Sequence, residues 1–294
     1  MEQAPASERK LPPRKKYPEM RMSVMPQRFS IHRAFRRHGL PAFQDENCSQ
    51  TSLAERAISR ITNSFTYQAI FSAARVIRVR LRSIVFNWRL RKEDLRNLAF
   101  DQRYGTDTAA EVPLDSAGVN AMDAQRGNGA YRAVWASEFH RSMAALPIEH
   151  HRFVFIDFGS GKGKAMLMAA DYSFQRIVGV EYAPRLHQIA VRNIAVYREI
   201  APGCCQFEPI LCDALTYVSP DEPLVCFFFN PFDDATLRQV FHNLRLSVKR
   251  HYRDVYIVYV NLRTVWESHY VFDDLDDYLL VRSDRKYLIY KVPA

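Results

Sequence analysis

Cysteine is scarce in this 294-residue chain. The five cysteines (Cys48, Cys204, Cys205, Cys212, Cys226) are odd in number and show no C-x-x-C spacing. That argues against a disulfide framework and a cysteine-based zinc site, and it favours a reducing compartment. No apolar run approaches the ~18 charge-free residues of a membrane span. Ten glycines and fifteen prolines exclude a collagen-like chain, and no internal period of about 20–50 residues is visible. An apolar leader core is missing from the first 40 residues, so the expected location is cytoplasmic. What remains is an ordinary globular balance, 48% hydrophobic and 25% charged.

Acidic residues are the other shortage, and a local one. Residues 1–150 carry 24 basic and 15 acidic side chains, whereas residues 151–294 carry 17 of each. The net charge of +9 therefore belongs to the first half. Residues 1–50 are punctuated by Pro5, Pro12, Pro13, Pro18, Pro26 and Pro41 and charged by Arg14-Lys15-Lys16 and Arg36-Arg37. They are expected to form a flexible basic tail, because too little apolar surface is available to offset ordering. Residues 51–130 form the next segment, a basic helical extension followed by a polar stretch. Within 52–99, Ile70, Ala74, Ile77, Leu81, Ile84 and Trp88 recur at helical spacing. A second stripe holds Arg75, Arg78, Arg82, Arg89 and Lys92, and no acid occurs between Arg56 and Lys92. Two readings stand: a helix packed on the core with a solvated basic face, or a docking surface for nucleic acid or anionic lipid.

From residue 131 onward the pattern becomes alternating strands and helices. Strand-length apolar runs occur at Phe153–Asp157, Arg176–Glu181, Phe207–Asp213, Leu224–Asn230 and Val255–Asn261, with helical stretches at Lys164–Asp171, Arg185–Ile200 and Ala235–Val248 between them. Such alternation predicts an α/β fold with a mainly parallel sheet covered on both faces. A closing pair, Asp277–Arg282 and Lys286–Val292, is joined too tightly for a crossover helix and must be antiparallel.

The chemistry concentrates at the ends of the predicted strands, where open α/β sheets bind ligands. Phe155-Ile156-Asp157-Phe158-Gly159-Ser160-Gly161-Lys162-Gly163-Lys164 is a strand, a glycine turn and a helix start. Neither Gly-Lys pair is followed by Ser or Thr, which sets a P-loop aside. A dinucleotide fingerprint needs G-x-G-x-x-G, whereas the spacing here is G-x-G-x-G. Asp157 would repel a pyrophosphate but receive the ammonium of an amino-acid-bearing nucleoside. Glu181 closes the next strand, where a carboxylate accepts hydrogen bonds from ribose hydroxyls. Asp213 follows the third, within reach of an adenine amino group, although an N-cap role would also explain it. Asn230-Pro231-Phe232 follows the fourth and would serve equally as a turn. Lys162 and Lys164 are expected to be solvated residues at the helix start.

Taken together, D-x-G-x-G-x-G, the acid after strand two, Asp after strand three and N-P-F after strand four resemble the class I S-adenosylmethionine-dependent methyltransferases over residues 130–294. The resemblance implies a Rossmann-like seven-stranded, mainly parallel sheet with a final antiparallel strand, and a methyltransferase domain over 131–294. It implies S-adenosyl-L-methionine as cofactor, held by Asp157, Gly159, Gly161, Gly163, Glu181 and Asp213. Phe100–Thr108 and Val178–Arg192 also look like a group of uncharacterised bacterial methyltransferases. Tyr104, Thr106, Asp107 and Thr108 read either as a lid over the cofactor, with Thr106 and Asp107 as contacts, or as loop-capping residues. A more distant similarity is to the non-SET histone lysine methyltransferases, from which Lys164 and Pro231 depart. Asn230-Pro231-Phe232 also resembles the [DN]-P-P-[FY] of amino-group methyltransferases.

Both likenesses imply transfer to nitrogen, with Asn230, Pro231 and Phe232 as catalytic residues and no metal. The expected function is methylation of a macromolecule, nucleic acid or protein lysine, the basic half favouring a polyanionic partner. The alternative is a non-catalytic cofactor-binding module that docks on nucleic acid or an anionic membrane.

Overall fold

In the computed structural model, residues 65–113, 116–119, 130–201, 206–260, 275 and 277–293 are described. The expected tail over 1–50, the vicinal Cys204-Cys205 and Asn261 lie outside these residues. The chain divides into two units, Met1–Phe71 and Ser72–Ala294. The elements of the second unit, in chain order, are α1 (Phe65–Tyr104, whose start belongs to the first unit), β1 (Val112–Pro113), β2 (Ala130–Tyr131), α2 (Ala136–Ala144), β3 (Val154–Phe158), α3 (Lys164–Ala169), β4 (Ile177–Glu181), α4 (Pro184–Ile200), β5 (Phe207–Leu211), β6 (Leu224–Phe229), α5 (Asp234–Arg250), β7 (Val255–Val260), β8 (Leu279–Ser283) and β9 (Tyr287–Lys291).

The seven-stranded sheet has the order β5-β4-β3-β6-β7-β9-β8. β5, β4, β3, β6 and β7 pair in parallel, while β9 runs antiparallel to β7 and to β8. This is the Rossmann-like sheet with one reversed strand that the sequence pattern implied. Chain connections leave β3 toward β4 on one side, and β6 adjoins it on the other. The switch point is therefore at the carboxyl ends of β3 and β6, where such sheets open a crevice.

Both sheet faces are buried because the strands alternate large apolar residues toward each. Val154, Ile156 and Phe158 of β3, with Cys226 and Phe228 of β6, pack against Leu237, Phe241 and Leu244 of α5. Phe158 stacks on Phe228 with centroids 4.9 Å apart. On the opposite face, Phe155, Val225 and Phe227 meet Phe139 of α2, residues Ala165–Ala169 around α3, and Tyr197 of α4. Phe227 lies edge-on to Phe139 at 5.2 Å.

α1 extends farther than the sequence pattern suggested, to Tyr104 rather than residue 99. Of the two readings of its apolar stripe, packing on the core is overturned: Ile77, Leu81, Ile84 and Trp88 are exposed. The helix meets the rest of the unit through other positions. Phe86 faces Trp135, and Glu93 and Asn97 are buried.

Phe227 makes ring contacts on the face where three helices converge, so Phe227→Ala should cost about 3–5 kcal/mol. Urea unfolding would show this as a lowered midpoint with an unchanged slope. A midpoint unchanged from the parent would contradict this packing.

Candidate cofactor and acceptor site

The turn between β3 and α3 is built from backbone conformations that favour glycine. Gly159, Gly161 and Gly163 have φ of +75°, +54° and +82°. At two of them a side chain would also collide with a neighbour. A Cβ on Gly159 would lie 2.5 Å from Cβ of Pro231, and one on Gly161 would lie 2.3 Å from the ring of Tyr131. The loop after β6 and the tyrosine of β2 therefore both close on the bare backbone of the turn. Parallel pairing anchors it, since the Gly159 and Ser160 N–H groups donate to the Val180 carbonyl at 2.9 and 3.1 Å.

Two carboxyl groups are buried beside this turn. Glu181 Oε2 accepts the Gly161 N–H at 2.7 Å, and Oε1 accepts that of Ala183 at 2.8 Å. Burial pushes the Glu181 carboxyl up, and these backbone donors pull against it. Asp157 is buried too, and burial with the neighbouring Glu181 pushes it up to about 8. At neutral pH without a nearby cation, Asp157 thus holds its proton. The turn's own ammonium is engaged elsewhere: Lys162 Nζ donates to Asp107 Oδ1 at 2.8 Å.

Segment 101–109 is tied to this turn by a connected set of bonds. The Asp101 carboxylate accepts the hydroxyls of Thr106 and Thr108, both at 2.7 Å, and the N–H groups of Thr108 and Ala109. Asn193 of α4 donates to the carbonyls of Asp107 and Lys162, each at 2.9 Å, and accepts the Asp107 N–H at 2.8 Å. The Tyr131 hydroxyl donates to the Thr108 carbonyl. Lys164 donates to Asn97 Oδ1 and lies 5.0 Å from the Phe100 centroid. Burial pushes Lys164 down to about 8, against the pull of Asp101 and Glu93. The expectation of solvated lysines is corrected: both are buried, because Lys162 pairs with Asp107 and Lys164 with Asn97 of α1.

Of the remaining expected residues, Asp213 and Phe232 share one cleft with Gly159. Gly159, Val180, Tyr182, Cys212, Asp213, Ala214, Phe232 and Thr236 line this narrow cleft. Asp213 Oδ1 accepts the Leu215 N–H at 2.9 Å, an Asx turn rather than a helix cap. Asn230 takes φ +46°, which asparagine tolerates better than most residues. Its Oδ1 accepts the buried Tyr259 hydroxyl at 2.9 Å. Phe232 is buried on the Asp213 side of the cleft. Asp157, the glycines, Glu181, Asp213 and Asn230-Pro231-Phe232 are thus gathered at the switch point. Asp107 reaches the glycine turn through Lys162 and Asn193, whereas Thr106 bonds to Asp101.

Sequence reasoning missed Asp101, Tyr131, Asn193 and Tyr259. The two threonines following Asp101 were a usable signal for the first; the other three are set by tertiary contact alone. Among the described residues no group of three or more His, Cys, Asp or Glu is arranged to hold a metal.

No protein-family model matches the chain, and no curated protein matches it. Solved structures do. A predicted N6-adenine-specific DNA methylase from Listeria monocytogenes is 15% identical, with 55% of this chain and 51% of that one covered and a TM-score of 0.40. Haemonchus contortus phosphoethanolamine N-methyltransferase 1, solved with phosphoethanolamine and S-adenosylhomocysteine, is 16% identical over 54% and 43%, at 0.36. The 23S rRNA methyltransferase ErmE is 13% identical over 53% and 66%, also at 0.36. The matched region spans about half the length of the first two. The strand order, rather than these partial likenesses, establishes the fold.

The sign of the Asp157 effect is definite. Burial and the neighbouring Glu181 push its carboxyl from the ordinary range near 4 up to about 8 on folding, so the folded state keeps a proton that the unfolded chain releases. Stability from this group is full below pH ~4 and lost as pH rises to ~8. Relative to Asp157→Asn, the parent's melting temperature should fall by several degrees from pH 5 to 8 and run parallel above that. Parallel curves throughout would refute the buried, protonated carboxyl.

Proposed function

We propose that this chain is an S-adenosylmethionine-dependent methyltransferase acting on a nitrogen of a macromolecule, either a nucleic acid or a protein lysine. The observation that carries this reading is the acid pair, Asp157 and Glu181, buried on a glycine turn at the switch point beside a cleft lined by Asp213. These residues fit the cofactor's chemistry. Asp157 suits an ammonium, whose charge would draw its proton off. Glu181 suits ribose hydroxyls, and Asp213 an adenine amino group flanked by Val180, Ala214 and Phe232. When bound, S-adenosylmethionine supplies a methyl group that is already strongly electrophilic, so the protein's task is to position the acceptor and shield the site.

The chain's residues divide that task. Tyr259 donates to Asn230 and fixes the amide plane. An amide oxygen has two acceptor sites, so the same atom serves a substrate amine. The Pro231 carbonyl offers a second acceptor, and together they orient the nitrogen lone pair. Phe232 walls the space. Segment 101–109, with Thr106 and Asp107, acts as a lid held by Lys162 and Asn193. These roles make the reading enzymatic rather than that of a binding module alone.

Calorimetric titration with S-adenosylmethionine should show micromolar binding, at least about tenfold weaker in Asp157→Asn, which keeps the shape but not the charge. Asn230→Ala should leave that affinity within about twofold while lowering labelled methyl transfer to cell fractions by about a hundredfold. Transfer into RNA, DNA or protein fractions identifies the acceptor class. Absence of cofactor binding by the folded parent would overturn the assignment. Binding without transfer to any fraction would favour the non-catalytic module.

A further inference from the structure

We propose that α1 is a membrane-surface helix that lays the enzyme on anionic lipid. Ile77, Leu81, Ile84, Trp88 and Leu95 recur at three-, four- and seven-residue spacing along one side of α1. All five are exposed, Ile84 to 63% and Trp88 to 61%. At 1.5 Å per residue this apolar line is about 27 Å long. Monomeric proteins rarely leave such a continuous apolar line in water without a partner for it.

The flanking residues identify the partner. By helical position, Arg80 and Arg91 border one side, and Arg78, Arg89 and Lys92 the other; all are exposed. The Lys92 ammonium sits 5.1 Å from the Trp88 centroid. An apolar stripe with a tryptophan, edged on both sides by cations, matches a helix lying in the headgroup region. The apolar side enters the acyl boundary, the long basic side chains reach outward to lipid phosphates, and the indole stays at the interface. A nucleic acid would be met by the arginines but would leave five large apolar side chains without a role. A protein groove would take the apolar side but gains little from cations along both borders. Among the described residues no helix is long and apolar enough to cross a membrane, so the association is peripheral. The opposite side of α1 holds the fold through Phe86, Asn97 and Phe100, so docking requires no unfolding.

The test uses the full chain with vesicles of phosphatidylcholine alone or with about 30% phosphatidylglycerol. The parent should co-sediment with the anionic vesicles, weaken steeply with salt, and show a blue shift in tryptophan emission that Trp88→Phe removes. Leu81→Ser/Ile84→Ser/Trp88→Ser should lower partitioning by at least about tenfold, and Arg78→Gln/Arg80→Gln/Arg89→Gln/Arg91→Gln should abolish it. Circular dichroism and cofactor titration check that each variant is folded, and lipid binding is scored independently of methyl transfer. Absence of binding to anionic vesicles would overturn the proposal. So would equal binding by the apolar variant, which would place the lipid contact elsewhere in the basic half. Salt-sensitive RNA or DNA binding that survives the apolar substitutions, without vesicle binding, would assign the face to nucleic acid. Self-association lost in the apolar variant, again without vesicle binding, would assign it to a second copy.

Discussion

Two carboxyl groups side by side in a buried sheet end are the constraint around which this site is organised. Like charges taken out of water raise one another's proton affinity, and burial adds to it. The protein relieves only part of that cost. Glu181 is compensated by backbone N–H groups of the glycine turn and of the α4 start. Asp157 stays in the protonated regime. An arrangement that would be merely destabilising in an empty core becomes useful if a cation is to be bound there. Strand pairing brings both acids to one sheet edge, with Asp157 opposite Gly179 and Glu181 two residues farther along β4.

The glycine turn follows from the same requirement. Its backbone must reach Glu181, pass under Tyr131 and lie against Pro231, and left-handed glycines permit all three. Once the turn is bare, the space above it must be closed from elsewhere. Segment 101–109 attaches to this turn, with Asp101 as its internal anchor and with Lys162 and Asn193 as its external ones. Lys162 is drawn to Asp107 at 2.8 Å, on the side of the turn where this segment attaches.

The sheet was legible from residue pattern because strands buried on both faces read as short apolar runs bounded by turns. The reversed strand was legible because Ser283-Asp284-Arg285 is too short to cross over. Asp157, Glu181, Asp213 and Asn230 were legible because each ends a strand, and strand ends meet at one edge of a parallel sheet. Lys162 and Lys164 were misjudged because lysine is normally solvated; their partners, Asp107 and Asn97, lie more than fifty residues away in sequence. Tyr131 and Tyr259 carried no local signal, since each is tied to the candidate site only through long-range bonds to Thr108 and Asn230. On α1 the periodicity was right, but it left open whether the stripe packs on the core or faces outward, and it faces outward. An apolar stripe tells that a face wants to leave water, not what covers it.

The proton on Asp157 can be followed directly by a carboxyl-carbon NMR titration in the full chain. With S-adenosylmethionine absent, the account predicts a transition near 8. With it saturating, the transition should fall by at least about two units, as an opposite charge beside the carboxylate requires. A carboxyl that titrates near 4 without the cofactor, or that does not respond to it, would contradict the account.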